Sequence, residues 1–198
     1  MNKMELLLEA IYFASNKHKN QRRKDSLKTP YINHPIEVCF ILSNCGITDE
    51  KILMAAVLHD TIEDTETTFE ELNSIFGEIV TKMVMECSDE KNSKKECKKQ
   101  IQIEKANSVC VGSKLIKLAD KYSNLSNLIN DPPELWSEQE IKGYFYWCYA
   151  IFLKLKGTNE ILENKLIELF KKKNVFGINE KKLESELVEY YKNIKNSD

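Results

Sequence analysis

Apolar residues recur along most of this chain every three to four positions, the spacing of one face of an α-helix. In residues 4–17, for example, Leu7, Ala10, Ile11 and Ala14 share one side. No segment shows a sustained alternation of apolar and polar residues, so strands are not predicted. Nine segments carry the helical pattern: 4–17, 33–46, 48–64, a segment that begins at 68, 95–106, 108–129, 137–156, 159–173 and 179–195. The pattern predicts an all-α bundle of about nine to ten helices.

Local signals mark several of the helix ends. Pro35 favours the first position of the second helix, with His34 just before it, and Gly46 is a good stop signal. Thr68–Glu71 and Ser137–Glu140 have the spacing of capping boxes, in which side chain and backbone satisfy each other's hydrogen bonds at a helix start. These signals support separate helices joined by short loops.

The composition fits one folded domain. The chain has 198 residues, of which 42% are hydrophobic and 30% charged, with only six Gly and four Pro. No apolar run approaches the roughly 20 residues that a membrane span needs. The charged N-terminal segment lacks the apolar stretch of a signal peptide, so we expect a cytoplasmic protein. The six cysteines include no CxxC pair, which argues against structural zinc and against a disulfide framework.

The charge distribution bears on the class of partner. The formal net charge is −2, so no overall field attracts the protein to nucleic acid or to an anionic membrane. Locally, residues 17–28 hold six Lys or Arg against one Asp, and residues 91–105 hold six Lys against two Glu. Such runs usually form a solvated face. Two of them around an acidic region would also suit a small, multiply phosphorylated substrate. The oligomeric state stays open.

The segment LHDTIEDT, residues 58–65, concentrates ionisable side chains directly after a long apolar run. On a continuous helix with about 100° per residue, four of them fall within one arc of about 140°. They are His59, Asp60, Glu63 and Asp64. Three carboxylates at a partly buried face repel one another unless a cation lies among them. Imidazole with carboxylate suits Zn²⁺, Mn²⁺ or Fe²⁺, so this segment predicts part of a metal site.

Two further residues complete the candidate ligand set. His34 lies in PYINHP at a helix start, and Asp120 lies in KLIKLADKYSNL, which is otherwise rich in apolar residues. Burying an unpaired carboxylate on such a helix is costly. A metal held by His34, His59, Asp60 and Asp120 would supply the missing partner. The ordered set is far more specific than any one of its members.

Three segments carry a resemblance to a known family: RRKDSLKTPYINHP, AAVLHDTIEDTETTFEELNSIFG and KLIKLADKYSNL. They resemble the hydrolase domain of the RelA/SpoT family, which belongs to the HD superfamily of metal-dependent phosphohydrolases. The similarity extends to the stand-alone metazoan SpoT homologues and covers roughly residues 5–173. It implies an HD-type domain over residues 1–173, followed by a C-terminal helical extension over residues 174–198.

The resemblance also implies a role for each candidate residue. The two His and two Asp ligands hold one divalent metal, typically Mn²⁺, with Zn²⁺ or Fe²⁺ as alternatives. Glu63 and Asp64 position and deprotonate the attacking water. Five residues contact the nucleotide: Arg23, Lys24, Lys95, Asn124 and Tyr144.

The activity that this family implies is removal of the 3′-pyrophosphate of (p)ppGpp by a metal-bound water, giving GDP or GTP and pyrophosphate. An NADPH 2′-phosphatase, or another nucleotide phosphohydrolase, is the alternative. A third hypothesis is a non-catalytic nucleotide sensor, which the retained Glu63–Asp64 pair disfavours. Glu140 stands where relatives carry an arginine that faces the substrate, and we expect it instead to cap its own helix.

Overall fold

A computed structural model describes residues 3–89 and 93–195, and these residues form ten helices. The all-α prediction is confirmed, and the number of helices agrees with it. The helices are α1 (Lys3–Lys17), α2 (Asn33–Asn44), α3 (Glu50–Leu58), α4 (Thr61–Asp64), α5 (Phe69–Cys87), α6 (Lys95–Lys105), α7 (Val111–Asn130), α8 (Glu138–Leu155), α9 (Glu160–Lys172) and α10 (Glu180–Lys195). Among the described residues, no helix has the length and apolarity that a bilayer crossing requires.

Helix α3 lies at the centre of the bundle, because it packs against α1, α2, α5 and α7. Its last five residues, Met54–Leu58, are all buried, and a helix that is apolar on every side belongs in a core. Helix α7 packs against α2, α5, α8 and α9 as well as α3. Helices α3 and α7 are therefore firmly packed, and polar side chains on them or next to them have well-defined positions.

Helix α3 does not continue to Asp64, so the continuous helix predicted over 48–64 is wrong. It ends at Leu58, and the four-residue helix α4 begins at Thr61. The Thr61 hydroxyl donates to the Leu58 carbonyl at 2.7 Å, and the backbone of Asp60 turns to φ −95° and ψ −6°. A buried hydroxyl that bonds to the preceding turn competes with helix hydrogen bonds. His59 and Asp60 thus occupy a turn rather than the middle of a helix.

Two other helices differ in detail from the sequence expectation, one at its start and one in its interior. Helix α2 begins at Asn33, so Pro35 is its third residue rather than its first. Helix α5 is interrupted at Gly77, whose φ of +78° is a backbone conformation that favours glycine. The Ser137–Glu140 capping box at the start of α8 is confirmed in both directions. At Thr68 the hydroxyl accepts from the Glu71 amide, while the Glu71 carboxylate pairs with Lys17 at 2.7 Å.

The C-terminal helix α10 is present as predicted and packs against α8 and α6. Its Tyr190 is 3% exposed and lies directly over Gly143 of α8. A Cβ placed on Gly143 would come within 2.4 Å of the Tyr190 ring, so only a residue without a side chain permits this approach. The helix is therefore part of the packed structure, while the domain boundary at residue 173 stays a prediction.

Replacing Tyr190 with Ala should lower the free energy of unfolding by about 3 kcal/mol, because it removes a buried ring and leaves a cavity. Thermal or denaturant unfolding measures the change. Tyr12→Ala is the matched control, since Tyr12 is 73% exposed and should cost little. Equal stability of the two variants would show that α10 is not held by this contact.

Candidate active site

Four predicted metal ligands come together from three parts of the fold. His34 lies on α2, His59 and Asp60 lie on the turn after α3, and Asp120 lies on α7. His34 Nε2 is 3.1 Å from Asp120 Oδ1 and 3.7 Å from Asp60 Oδ2. His59 Nε2 is 3.1 Å from Asp60 Oδ1 and 3.9 Å from Asp120 Oδ1. Both imidazoles are buried, and the two carboxylates are nearly so.

The backbone sets the proton position on His59. Its Nδ1 lies 2.8 Å from the Ala56 carbonyl oxygen, which can only accept, so Nδ1 carries the proton and donates it. Nε2 then bears a lone pair. This nitrogen is buried and has no hydrogen-bond partner among the described residues. A buried nitrogen lone pair aimed at two carboxylates is the geometry of a metal ligand rather than of a satisfied core histidine.

A relay of hydrogen bonds sets the proton position on His34. The Ser123 hydroxyl donates to Glu37 Oε2 at 2.7 Å, and Asn127 donates to the same oxygen at 3.1 Å. Because the hydroxyl has one proton, it accepts from His34 Nδ1, which lies 3.0 Å away. His34 Nε2 therefore also presents a lone pair to the centre. Carboxylates and hydroxyls that hold the distal nitrogen in this way are typical of metal-ligating histidines.

A divalent cation fits this arrangement. Ligand atoms of His34, His59 and Asp120 lie within 4.8 Å of one another, and Asp60 adds a second carboxylate at the distances given above. Two nitrogen lone pairs and two carboxylates placed this close repel one another without a positive charge between them. The donor set, imidazole with carboxylate, suits a transition-metal ion such as Mn²⁺, Fe²⁺ or Zn²⁺.

Asp120 is held by its neighbours on α7. Lys121 Nζ lies 2.7 Å from Oδ2, and Asn124 donates to Oδ1 at 2.6 Å. Burial alone would raise the pKa of Asp120, but the Lys121 ammonium holds it well below the usual range. The carboxylate is therefore charged and oriented. Sequence reasoning missed Lys121, because a buried lysine that pairs with the preceding aspartate cannot be told from an exposed one by sequence alone.

The predicted catalytic carboxylates lie on α4, beside the metal group. Glu63 Oε2 accepts from the Asp89 amide at 2.9 Å, and its pKa is raised mainly by burial. Asp64 keeps more of its surface in water than Glu63. Its pKa is nevertheless raised, by partial loss of hydration and then by the negative charge of Asp60. Tyr31, which the sequence analysis did not single out, donates its hydroxyl to Asp60 Oδ2 at 2.7 Å. A carboxylate with a raised pKa accepts protons more readily, as a general base must.

Two adjoining cavities meet at this group. The larger has a volume of about 600 Å³ and the smaller about 180 Å³. Five residues line both of them: Arg23, Tyr31, His34, Asn124 and Tyr144. The remaining predicted metal ligands and both predicted catalytic carboxylates line the smaller cavity. The site thus has a charged chamber at the metal group and a roomier chamber beside it.

Four of the five predicted substrate residues line these cavities. Arg23 donates to Asn124 Oδ1 at 3.1 Å, which ties the basic loop, residues 17–28, to α7. Lys24 lines the larger cavity from the same loop, and buried Tyr144 faces both chambers. Lys95 is not brought to the site: it is exposed at the start of α6 and lines neither chamber. Lys99, one turn further along α6, lines the smaller chamber instead.

Two other expectations have clear outcomes. His18, the third histidine of the chain, lies outside the candidate ligand set, and the sequence predicts it at the surface rather than in a site; the surface prediction is wrong. It is 1% exposed, bonds to Gln21 and packs on the Tyr31 ring at 5.0 Å, because the basic loop folds back over the end of α1. Glu140 caps α8 as expected, accepting from the Ser137 amide at 2.8 Å. Signals for the missed Glu37 and Ser123 were present, since each follows a ligand by three residues on the same helix.

Known proteins resemble this chain over most of its length. The family description of the HD domain matches residues 10–152. The chain belongs to the HD-domain family. An HD hydrolase domain implies a divalent metal, in agreement with the His and Asp group described above.

Two relatives and one solved structure show where this HD domain falls in the family. A Xenopus tropicalis protein named guanosine-3′,5′-bis(diphosphate) 3′-pyrophosphohydrolase MESH1 is 52% identical over 166 residues, covering 83% of this chain and 93% of the relative. The human protein of the same name is 48% identical over 170 residues, covering 85% and 95%. A solved structure, described as a metazoan orthologue of SpoT that hydrolyses ppGpp, superposes with a TM-score of 0.85 at 43% identity, over 86% of this chain and 97% of that one. The predicted fold and family resemblance are confirmed.

Changing Glu37 to Gln should weaken metal binding by about 10–100-fold, since residues that orient a ligating histidine typically contribute that much. The change removes the charged acceptor that fixes Ser123 and, through it, His34. Calorimetric titration of the metal-free protein with Mn²⁺ measures the affinity. Glu78→Gln, an exposed site on α5, is the control. Unchanged affinity in Glu37→Gln would remove Glu37 from the relay.

Proposed function

We propose that this HD domain hydrolyses guanosine 3′,5′-bis(diphosphate), or its 5′-triphosphate analogue, at the 3′-pyrophosphate. The products are GDP or GTP and pyrophosphate. One observation carries the proposal: the chain is 52% identical to a relative of that name over 93% of the relative's length. The convergence of both His and both Asp side chains on one point supports it independently of identity.

The two chambers suit the two parts of such a substrate. The nucleoside and 5′-phosphates fit the larger chamber, where Arg23 and Lys24 supply positive charge and Trp136 and Tyr144 supply aromatic faces. The 3′-pyrophosphate then enters the smaller chamber, which holds the metal group and Glu63. Charged phosphates and a flat base have opposite solvation requirements, so separate chambers can recognise both.

The metal site and α4 divide the chemical work. A divalent cation at the His and Asp group would lower the pKa of a coordinated water and offset the charge that builds on the phosphoryl oxygens. Glu63 takes a proton from the attacking water, and Asp64 orients that water. A new bond forms between the water oxygen and the phosphorus nearest the ribose, while the bond from that phosphorus to the 3′-oxygen breaks. The departing 3′-oxygen then gains a proton and becomes a hydroxyl.

We propose Mn²⁺ as the metal, on the strength of the family resemblance and the mixed donor set. Imidazole nitrogen favours Zn²⁺ and Fe²⁺, whereas carboxylate and water oxygens favour Mn²⁺. Metal-free protein reconstituted separately with each of these ions distinguishes them. The highest kcat/KM at equal occupancy should belong to the Mn²⁺ form, and a clear advantage of Zn²⁺ or Fe²⁺ would contradict the assignment.

The test of the activity is to incubate metal-loaded protein with ppGpp, NADPH and a panel of ordinary nucleotides, with pyrophosphate and orthophosphate measured separately. We expect pyrophosphate from ppGpp in the highest yield. Orthophosphate from NADPH alone would favour the 2′-phosphatase alternative. Tight binding of ppGpp with no product would favour the nucleotide sensor.

Glu63→Gln should retain the metal and lose turnover by about 100-fold or more, because the amide keeps the shape of the side chain but cannot accept the proton. Metal content and kcat are measured on the same preparation. Glu66→Gln makes the same change at an exposed position three residues later and should leave kcat unchanged. A parallel fall of metal content and rate in Glu63→Gln would make Glu63 a ligand instead.

A further inference from the structure

The smaller chamber is lined by three lysines that have no role in the proposed chemistry. Lys99 of α6 and Lys117 and Lys121 of α7 line it together with the metal group. These lysines differ in their contacts. The Lys121 ammonium pairs with Asp120 at 2.7 Å, whereas the Lys99 ammonium lies beside aromatic rings.

Trp147 holds Lys99 at two points. The indole Nε1 donates to the Lys99 carbonyl oxygen at 2.9 Å, which fixes the backbone of α6 against α8. The Lys99 ammonium lies 3.6 Å from the centre of the Trp147 ring and 5.4 Å from that of Tyr144. Trp147 is fully buried, so this platform cannot move away. The ammonium is thus held at a defined place in the chamber, without a flexible search by its side chain.

The described residues give Lys99 no anionic partner. No carboxylate oxygen of residues 3–89 or 93–195 lies within 4.0 Å of its ammonium. Asp89, a nearby carboxylate, accepts from Gln102 at 2.7 Å. Burial, and then the charge of Lys121, lower the pKa of Lys99 to about 8, so it is still mostly protonated near neutral pH. A half-buried ammonium without a carboxylate partner is energetically costly, and an anion that enters the chamber would stabilise it by a charge-assisted hydrogen bond.

The charge balance of the chamber selects the kind of anion. Four cationic side chains line it, namely Arg23, Lys99, Lys117 and Lys121, and so do four carboxylates, namely Asp60, Glu63, Asp64 and Asp120. A divalent ion at the His and Asp group leaves the chamber with a net positive charge. The excess matches a ligand with more than one phosphate charge better than a single phosphate ester.

We propose that Lys99 binds the outer phosphate of the 3′-pyrophosphate and is the residue that favours a pyrophosphate leaving group over a single phosphate. The assignment rests on the proposed function, in which the phosphorus nearest the ribose lies at the metal group. The second phosphate must then extend into the rest of the same chamber, where Trp147 and Tyr144 hold the Lys99 ammonium and no carboxylate oxygen of the described residues lies within 4.0 Å of it. Lys95, to which the family resemblance pointed, is exposed and lines neither chamber.

The test compares Lys99→Met with Lys105→Met, which removes the same charge from the exposed end of the same helix. Methionine keeps an apolar stem against Trp147 and takes away the ammonium. Calorimetric titration of the Mn²⁺-loaded proteins with pyrophosphate should show about tenfold or greater weakening in Lys99→Met, the effect of losing one charge-assisted hydrogen bond. Orthophosphate affinity should fall by less than about threefold, and Lys105→Met should match the wild type for both ligands.

Metal content and melting temperature, measured on the same samples, separate lost binding from lost structure. Equal weakening for pyrophosphate and orthophosphate would overturn the selectivity assigned to Lys99, and so would wild-type pyrophosphate affinity in Lys99→Met. A loss of pyrophosphate affinity in Lys95→Met, with Lys99→Met unaffected, would move the role to Lys95. Because the titration uses pyrophosphate itself, it reads the subsite directly, whereas failure of the proposed activity would appear as no release of pyrophosphate from ppGpp by the wild type.

Discussion

Two buried imidazoles, each with its proton directed away from the centre, set the condition that the rest of this site must satisfy. His59 directs its Nδ1 proton to a helix carbonyl, and His34 directs its own to Ser123. Both Nε2 atoms therefore face the carboxylates of Asp60 and Asp120 as lone pairs. Such a cluster is unfavourable inside a protein unless a cation occupies its centre. The need for a metal follows from the hydrogen bonds on the outer side of the histidines as much as from the ligands.

The central helices hold this cluster by different means. Helix α3 is buried over its last turns, so the turn that follows it places His59 and Asp60 with little freedom. Helix α7 presents three functional side chains at successive positions of one face: Asp120 faces the metal group, Ser123 orients His34, and Asn124 bonds to both Asp120 and Arg23. Residues at positions i, i+3 and i+4 share a helix face. One helix thus connects the candidate metal site with the basic segment of residues 17–28.

The residue types of the site could be predicted from the sequence, but several of their positions could not. The ligands were recognisable because His and Asp interrupt apolar helices, where an unpaired charge needs a reason. The break after Leu58 was missed because apolar spacing does not detect a buried threonine that bonds to the preceding turn. Lys95 and Lys99 carry the same charge one helical turn apart, and the choice between them depends on Trp147, which is distant in sequence.

The tail illustrates a different limit of sequence reasoning. The stripe of apolar residues in the C-terminal segment correctly predicted a packed helix, and the position of α10 was right within a residue. The surface on which α10 packs was not predictable. Gly143 looks like an unfavourable residue inside a helix until the Tyr190 ring is found above it. Helix α10 packs against both α6 and α8, which carry Lys99 and Trp147. Packing outside the matched HD region therefore supports the two helices whose contact fixes the cationic side of the chamber, so the chamber's geometry depends on residues well beyond its own lining.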